Sequence, residues 1–161
     1  MSAGKLTPEE ALAKLQRYCA YQDRCHQEVR AKLLDMEIYG VALENIMTEL
    51  ITEDFLNEER FARSYARGKF RIKRWGRRRI VRELKKRAIS DHCIAQALTE
   101  IPEEAYRQQL EEVLSRKAKS SGETDVFRLR GKMAQHAIRR GYEPELVWTV
   151  VMELVPEEGG G

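Results

Sequence analysis

The sequence predicts an all-α protein made of three tandem three-helix repeats, on three observations. One apolar pattern recurs three times at fixed offsets, a related acid-rich helix start precedes each copy, and no stretch alternates with period two. Of the 161 residues, 42% are hydrophobic and 34% charged, with 10 Gly and 4 Pro. That balance fills a core and gives helices busy solvent faces.

The pattern is counted from Ile38, Ile89 and Tyr142. Nine residues before these stand Val29, Ile80 and Met133, and five before stand Leu33, Leu84 and Ala137. Five after come Leu43, Ile94 and Val147; nine after, Met47, Leu98 and Val151; twelve after, Leu50, Ile101 and Leu154. Steps of 3, 4 and 7 share one helical face, so each copy predicts two short helices whose buried stripes flank an apolar corner residue. Gly40, Ser90 and Glu143-Pro144 supply the turn chemistry for the second helix of each pair, and Arg140-Gly141 suits a helix stop. A further helix opens each repeat at Thr7-Pro8-Glu9-Glu10, Leu56-Asn57-Glu58-Glu59 and Ile101-Pro102-Glu103-Glu104. Acids in the first turn meet the positive end of the helix dipole, and Thr7 with Glu10 has capping-box spacing. Leu12, Phe61 and Tyr106 follow these starts at the same distance. The predicted organisation is a tail over 1–6, repeats over 7–54, 55–101 and 102–155, and a disordered tail over 156–161 that includes Gly159-Gly160-Gly161. Repeats of this size are too small for a generous core alone, so neighbours are expected to stack into an elongated, curved body; a compact globule built by duplication is the alternative.

The net charge of +3 conceals a strong asymmetry. Residues 60–87 hold 14 of the 29 Lys and Arg and one of the 26 acids, Glu83, a local charge of +13, leaving −10 for the rest of the chain. The counterpart of such a block is a polyanion or an acidic protein surface. On the first helix of the repeat, Phe61, Tyr65, Gly68 and Ile72 are expected to face inward, while Arg60, Arg63, Arg67, Arg71 and Arg74 form an outer stripe joined by Lys69 and Lys73. Trp75-Gly76 marks the corner. On the second helix Ile80 and Leu84 point inward, and Arg77, Arg78, Arg79, Arg82, Lys85 and Lys86 extend the cationic surface. Arginine's planar fork matches phosphate or carboxylate, and each phosphate contact releases condensed counterions. Phe70 and Trp75 are candidates to stack on unpaired bases; the alternative for Trp75 is a corner plug pinning two helices. His136, among Arg128, Arg130, Lys132, Arg139 and Arg140, extends a second, weaker positive patch.

No GxxxxGK[ST], GxGxxG, HExxH, Cys-x-x-Cys or GxSxG motif occurs. Cys25-His26 and His92-Cys93 are adjacent pairs that point to different helix faces, and Cys19 lies six residues from Cys25. The sequence therefore predicts no catalytic site, no metal and no cofactor, with reduced thiols. The first residues lack an apolar signal core and no run spans a bilayer, so a cytoplasmic protein without membrane contact is expected. A monomer is expected because no long apolar seam is left over.

The string FLNEERFARSYARGK, residues 55–69, is similar to the most distinctive segment of the RecX family. KRWGRRRIVRELKKRAIS resembles that family's second-helix motif, and Arg140-Gly141-Tyr142 extends the likeness into the third repeat. The resemblance covers roughly residues 8–155. It departs where Asn57-Glu58 replace aspartates, where Ala88 replaces glycine, where Glu37 replaces a basic or glycine-like residue, and where Asp23-Arg24-Cys25 loosely matches an arginine-serine turn. These departures bear on turns and caps. The resemblance implies a non-enzymatic regulator that binds the filament of the bacterial recombinase RecA on single-stranded DNA and damps its ATP hydrolysis, strand exchange and coprotease activity. Two readings of the residues themselves stay open beside it: a general nucleic-acid-binding helical module with no recombinase partner, and a helical-repeat adapter that docks an acidic protein.

Overall fold

A computed structural model describes residues 5–157, and among the described residues it contains helices and no strand. The first three helices are α1 (Pro8–Tyr21), α2 (His26–Asp35) and α3 (Gly40–Thr52). The middle three are α4 (Glu58–Arg71), α5 (Arg77–Lys86) and α6 (Asp91–Leu98), and the last three are α7 (Glu103–Ser121), α8 (Val126–Arg139) and α9 (Pro144–Leu154). The segments 1–4 and 158–161, which hold most of both expected tails, lie outside the described residues.

Helix starts follow their sequence signals. Thr7 Oγ1 accepts from Glu10 N–H at 3.1 Å, Asn57 Oδ1 from Arg60 N–H at 2.9 Å, and Ser90 Oγ from Cys93 N–H at 3.2 Å. Each satisfies one of the amides a helix leaves orphaned at its first turn.

The corner residues explain the repeat. Ile38, Ile89 and Tyr142 donate their backbone N–H to the carbonyls of Leu33, Leu84 and Ala137 at 2.9, 3.1 and 3.2 Å. The residue before each donates to Leu34, Lys85 and Ile138. This pair of bonds is the Schellman stop, which needs a left-handed residue just before the corner. Glu37 (φ 61°), Ala88 (φ 58°) and Gly141 (φ 104°) take that conformation. All three corner side chains are buried, as are all six residues at the −9 and −5 offsets. The later offsets hold less uniformly: Leu98 is half-buried, and Leu154 is 39% exposed where its counterparts Leu50 and Ile101 are covered. Leu50 is covered because the chain doubles back over it, with Phe55 and Leu56 both donating to its carbonyl.

Contacts divide the chain into two compact units, one formed by the residues to Ser64 with Leu84–Gln96, the other by Tyr65–Glu83 with the residues from Ala97 on. The middle helices thus contribute to both. In the first unit Ala11, Leu15, Val29, Leu33, Met47 and Leu50 are the centre of an apolar cluster with Phe55 and Leu12 at its margin. In the second, Tyr106, Tyr142, Leu110, Leu114, Met133 and Val150 are fully buried. Burying one such side chain contributes about 1.5–3 kcal/mol.

One expected face is rotated. The buried stripe of α4 is Phe61, Ala62, Ala66 and Phe70, not Phe61, Tyr65, Gly68 and Ile72. Tyr65 is half-buried, a Cβ on Gly68 would meet nothing, and Ile72 is 78% exposed because the helix ends before it. No helix among the described residues is long and apolar enough to cross a membrane.

Candidate functional site

The cations of the middle repeat separate into those that tie the fold together and those left facing solvent. Arg60 donates from Nε to Asp23 at 2.7 Å, pairs with Asp54 at 3.1 Å and also reaches the carbonyls of Asp54 and Phe55. The Asp23 bond pushes its guanidinium above the usual arginine range. Arg63 pairs with Glu59 and donates to Gln96 at 2.9 Å, and Arg67 lies 3.3 Å from Glu100. The outer arginine stripe of α4 is therefore largely engaged by the protein's own acids, of which Glu59 and Asp54 are local while Asp23 and Glu100 come from distant parts of the chain.

Arg77 is anchored further still. Its N–H donates to Tyr106 Oη at 3.0 Å, its guanidinium stacks 3.9 Å from the Tyr106 ring, and it pairs with Glu143 at 3.0 Å and with Glu103. Tyr106 donates its own hydroxyl to Glu143. Burial and that carboxylate push the phenol far above its usual range, so it stays a donor. Phe70 packs on this cluster, 6.1 Å from Tyr106, and Tyr106 lies 5.2 Å from Tyr142. Phe70 is thus a core residue and is not available to stack on a base.

The turn between α4 and α5 is docked backbone to backbone on the turn between α8 and α9. Gly76 N–H donates to the Arg140 carbonyl at 2.8 Å, and Arg78 N–H to the Gly141 carbonyl at 2.9 Å. A Cβ on Gly76 would sit 2.2 Å from the Gly141 carbonyl carbon, and one on Gly141 would sit 2.5 Å from Arg79 Cβ. Only glycine permits this approach at both positions. Tyr142 Oη donates to the Arg74 carbonyl at 3.1 Å, and Arg140 donates to that of Lys73. Arg74, in left-handed backbone at φ 57°, also reaches Glu112 at 3.5 Å.

Trp75 stands at this corner, half-buried. It meets Tyr65 edge-on at 6.4 Å, with Lys69 Nζ 5.0 Å and Arg79 Cζ 4.1 Å from its ring. Cations this close to an indole ring form favourable pairs with it, which holds both charges at the corner. Around it, Arg71, Lys73, Arg78 and Arg82 are exposed and have no acid partner among the described residues. Arg78, Arg82 and Lys85 recur at i, i+4 and i+7 on α5, one face of that helix. Lys85 and Lys86 are exposed too, and belong to the first compact unit. The second unit thus holds Lys69, Arg71, Lys73, Trp75, Arg78 and Arg79 at or within a few residues of this turn, with Arg82 one turn further along α5, whereas Arg60, Arg63, Arg67, Arg74 and Arg77 pair with carboxylates. Cations without carboxylate partners beside an aromatic ring suit phosphates.

The three cysteines are buried and free, and burial pushes the Cys25 thiol up to about 11. No group of three or more His, Cys, Asp or Glu among the described residues could hold a metal ion.

Residues 57–98 match the family model described as RecX, second three-helix domain, and residues 104–151 match RecX, third three-helix domain, together more than half of the chain. The regulatory protein RecX of Bacillus cereus (strain B4264) is 26% identical over 141 residues, covering 88% of this chain and 52% of that protein. That of Bacillus mycoides (strain KBAB4) is 24% identical, with the same coverage. The chain spans about half the length of these curated relatives. Two crystal structures share the fold: RecX from Lactobacillus salivarius, with TM-score 0.83, 22% identity and coverage of 91% of this chain and 96% of that one, and a second titled regulatory protein RecX, with TM-score 0.80, 20% identity and coverage of 94% and 73%.

Proposed function

The chain belongs to the RecX family, and on that premise we propose that it is a non-enzymatic cytoplasmic regulator, acting as a monomer without cofactor, that binds the RecA filament on single-stranded DNA. Binding there restrains the filament's ATPase, strand-exchange and coprotease activities. The observation that carries this reading is the corner around Trp75, where Arg71, Lys73, Arg78 and Arg82 are exposed without acid partners among the described residues. A protein that engages so many arginines in internal ion pairs, yet leaves this set without acid partners among the described residues on and beside a turn pinned by Gly76 and Gly141, presents a preorganised phosphate-binding surface. Pinning matters because ordering of long side chains and loops is a main cost of binding.

The test is the DNA-dependent ATP hydrolysis of RecA filaments preformed on single-stranded DNA, titrated with the protein beside a binding assay on the same DNA alone. Inhibition is expected well below the concentration that coats bare DNA. The triple variant Arg71→Glu, Arg78→Glu, Arg82→Glu is expected to raise the half-inhibitory concentration at least about tenfold while keeping its helical signal, since reversing a cation at a phosphate contact removes the counterion-release gain. Inhibition that begins only when the strand is saturated would replace this reading with a general nucleic-acid-binding module.

A further inference from the structure

The third repeat carries an aromatic side chain where the other repeats do not. Six residues beyond the corner, Glu44 and Ala95 stand in the first two repeats, and Trp148 in the third. In the first repeat Glu44 pairs with Arg30 at 2.7 Å. Arg30 lies eight residues before its corner, and its counterpart in the third repeat is Ala134, which is buried. An exposed ion pair is thus replaced by an apolar floor and an indole that is 43% exposed. Gly131, one turn from Ala134, leaves the floor open, since a Cβ there would meet nothing within 4 Å.

This floor belongs to a groove of about 830 Å³ between α8 and α9, rimmed by Arg128, Lys132 and Arg139. Lys132 lies 3.7 Å from Glu123, the acid of the groove, while Arg128 and Arg139 are exposed and have no acid partner among the described residues. Lys132 and Arg139 are shared with an adjoining hollow that adds Lys117 and His136. Of the second positive patch expected from the sequence, Arg128, Lys132 and Arg139 line this groove and His136 the adjoining hollow, whereas Arg130 is buried and donates to the Val155 carbonyl and Arg140 donates to that of Lys73.

We propose that this groove is a second binding site, for single-stranded nucleic acid, in which a base stacks on Trp148 and the flanking phosphates lie on Arg128 and Arg139. The ring supplies one flat platform next to small side chains, which suits a planar base. A docked protein helix would instead need several apolar anchors in line along the groove. The rim cations supply the charge that a strand's backbone requires. The site is separate from the corner around Trp75 and needs no recombinase.

The experiment uses the full chain with Trp75→Phe, so that Trp148 is the tryptophan that reports, titrated with oligothymidylate and with an abasic strand of equal phosphate number. Oligothymidylate is expected to quench Trp148 emission and the abasic strand to leave it nearly unchanged. In the natural chain, Trp148→Ala should weaken oligothymidylate binding about tenfold without changing its salt slope, and Trp148→Phe should restore most of it; Arg128→Glu with Arg139→Glu should lower the slope. Unchanged emission at saturating oligothymidylate, equal quenching by the abasic strand, or quenching by polyglutamate alone would overturn the assignment, the last marking a protein-docking surface. If Trp148 stays silent while the natural chain, with Trp75 intact, inhibits the filament, this site fails and the filament reading stands. If the quench is seen while the natural chain does not inhibit the filament, the reverse holds.

Discussion

Ala88 and Glu37 sit in left-handed backbone at φ 58° and 61°, the place that Gly141 fills in the third repeat. A side chain in that conformation costs about 1–2 kcal/mol, and glycine gives back about 0.4–1 kcal/mol through unfolded-chain entropy. Ala88→Gly is therefore expected to stabilise the protein by about 0.5–1 kcal/mol, read as a rise of a few degrees in thermal midpoint; no rise, or a fall, would refute the strain. The sequence already flagged both positions as departures from the family's pattern, but only the dihedral angles turn that into energy. His136 makes a second test at this scale. Burial, followed by Lys117, Arg140 and Arg139, holds its imidazole below the usual range, so it is neutral in the folded protein at pH 7. The unfolded chain binds that proton more readily, so stability present above about pH 6.5 is lost as pH falls. Urea unfolding between pH 7 and 5.5 should show this loss, and His136→Gln should flatten it. The lowered carboxyls of Glu44 and Asp54 act at more acidic pH and leave that window clear.

The docked pair of turns is the element on which the candidate site depends. Gly76→Ala would drive a Cβ into the Gly141 backbone at 2.2 Å, where no flexible side chain can yield. A loss of about 3 kcal/mol or more is expected, the upper range for overpacking. It should come with weaker DNA binding even though no cation is altered; wild-type urea midpoint and binding would contradict the clasp. Its partners were hard to read in the sequence because they lie up to 68 positions apart, as Tyr142 from Arg74. The stripe of α4 failed for a different reason. Stepping from Phe61 by large apolar residues leads to Tyr65 and Ile72, whereas burial follows the alanines, Ala62 and Ala66, to Phe70. Small residues mark a buried face as well as large ones, because close packing needs somewhere for neighbouring helices to approach. The six recurrent offsets were legible because helix period and Schellman geometry are local.

For the molecule as a whole, the +13 block is discharged in part by acids that lie outside it in the chain. Arg60, Arg63, Arg67, Arg74 and Arg77 all face carboxylates within 3.5 Å. Binding to single-stranded DNA should therefore behave as if about four to six phosphates are neutralised, a slope of log K on log salt near −3 to −4 and not about −9. A slope at the steeper value would mean that the internal ion pairs open on binding. The sequence by itself determined the all-α class, the threefold pattern, the corner residues and the position of the basic block, since each rests on period, capping or charge within a few tens of residues. It also carried the family resemblance. Tertiary structure alone decided which cations pair with carboxylates and which face solvent, that Phe70 is core, that Lys69 and Arg79 lie against the Trp75 ring, and that Trp148 lines a groove. The reason is physical: an arginine's role is fixed by where the nearest carboxylate lies in space, and sequence distance does not record it.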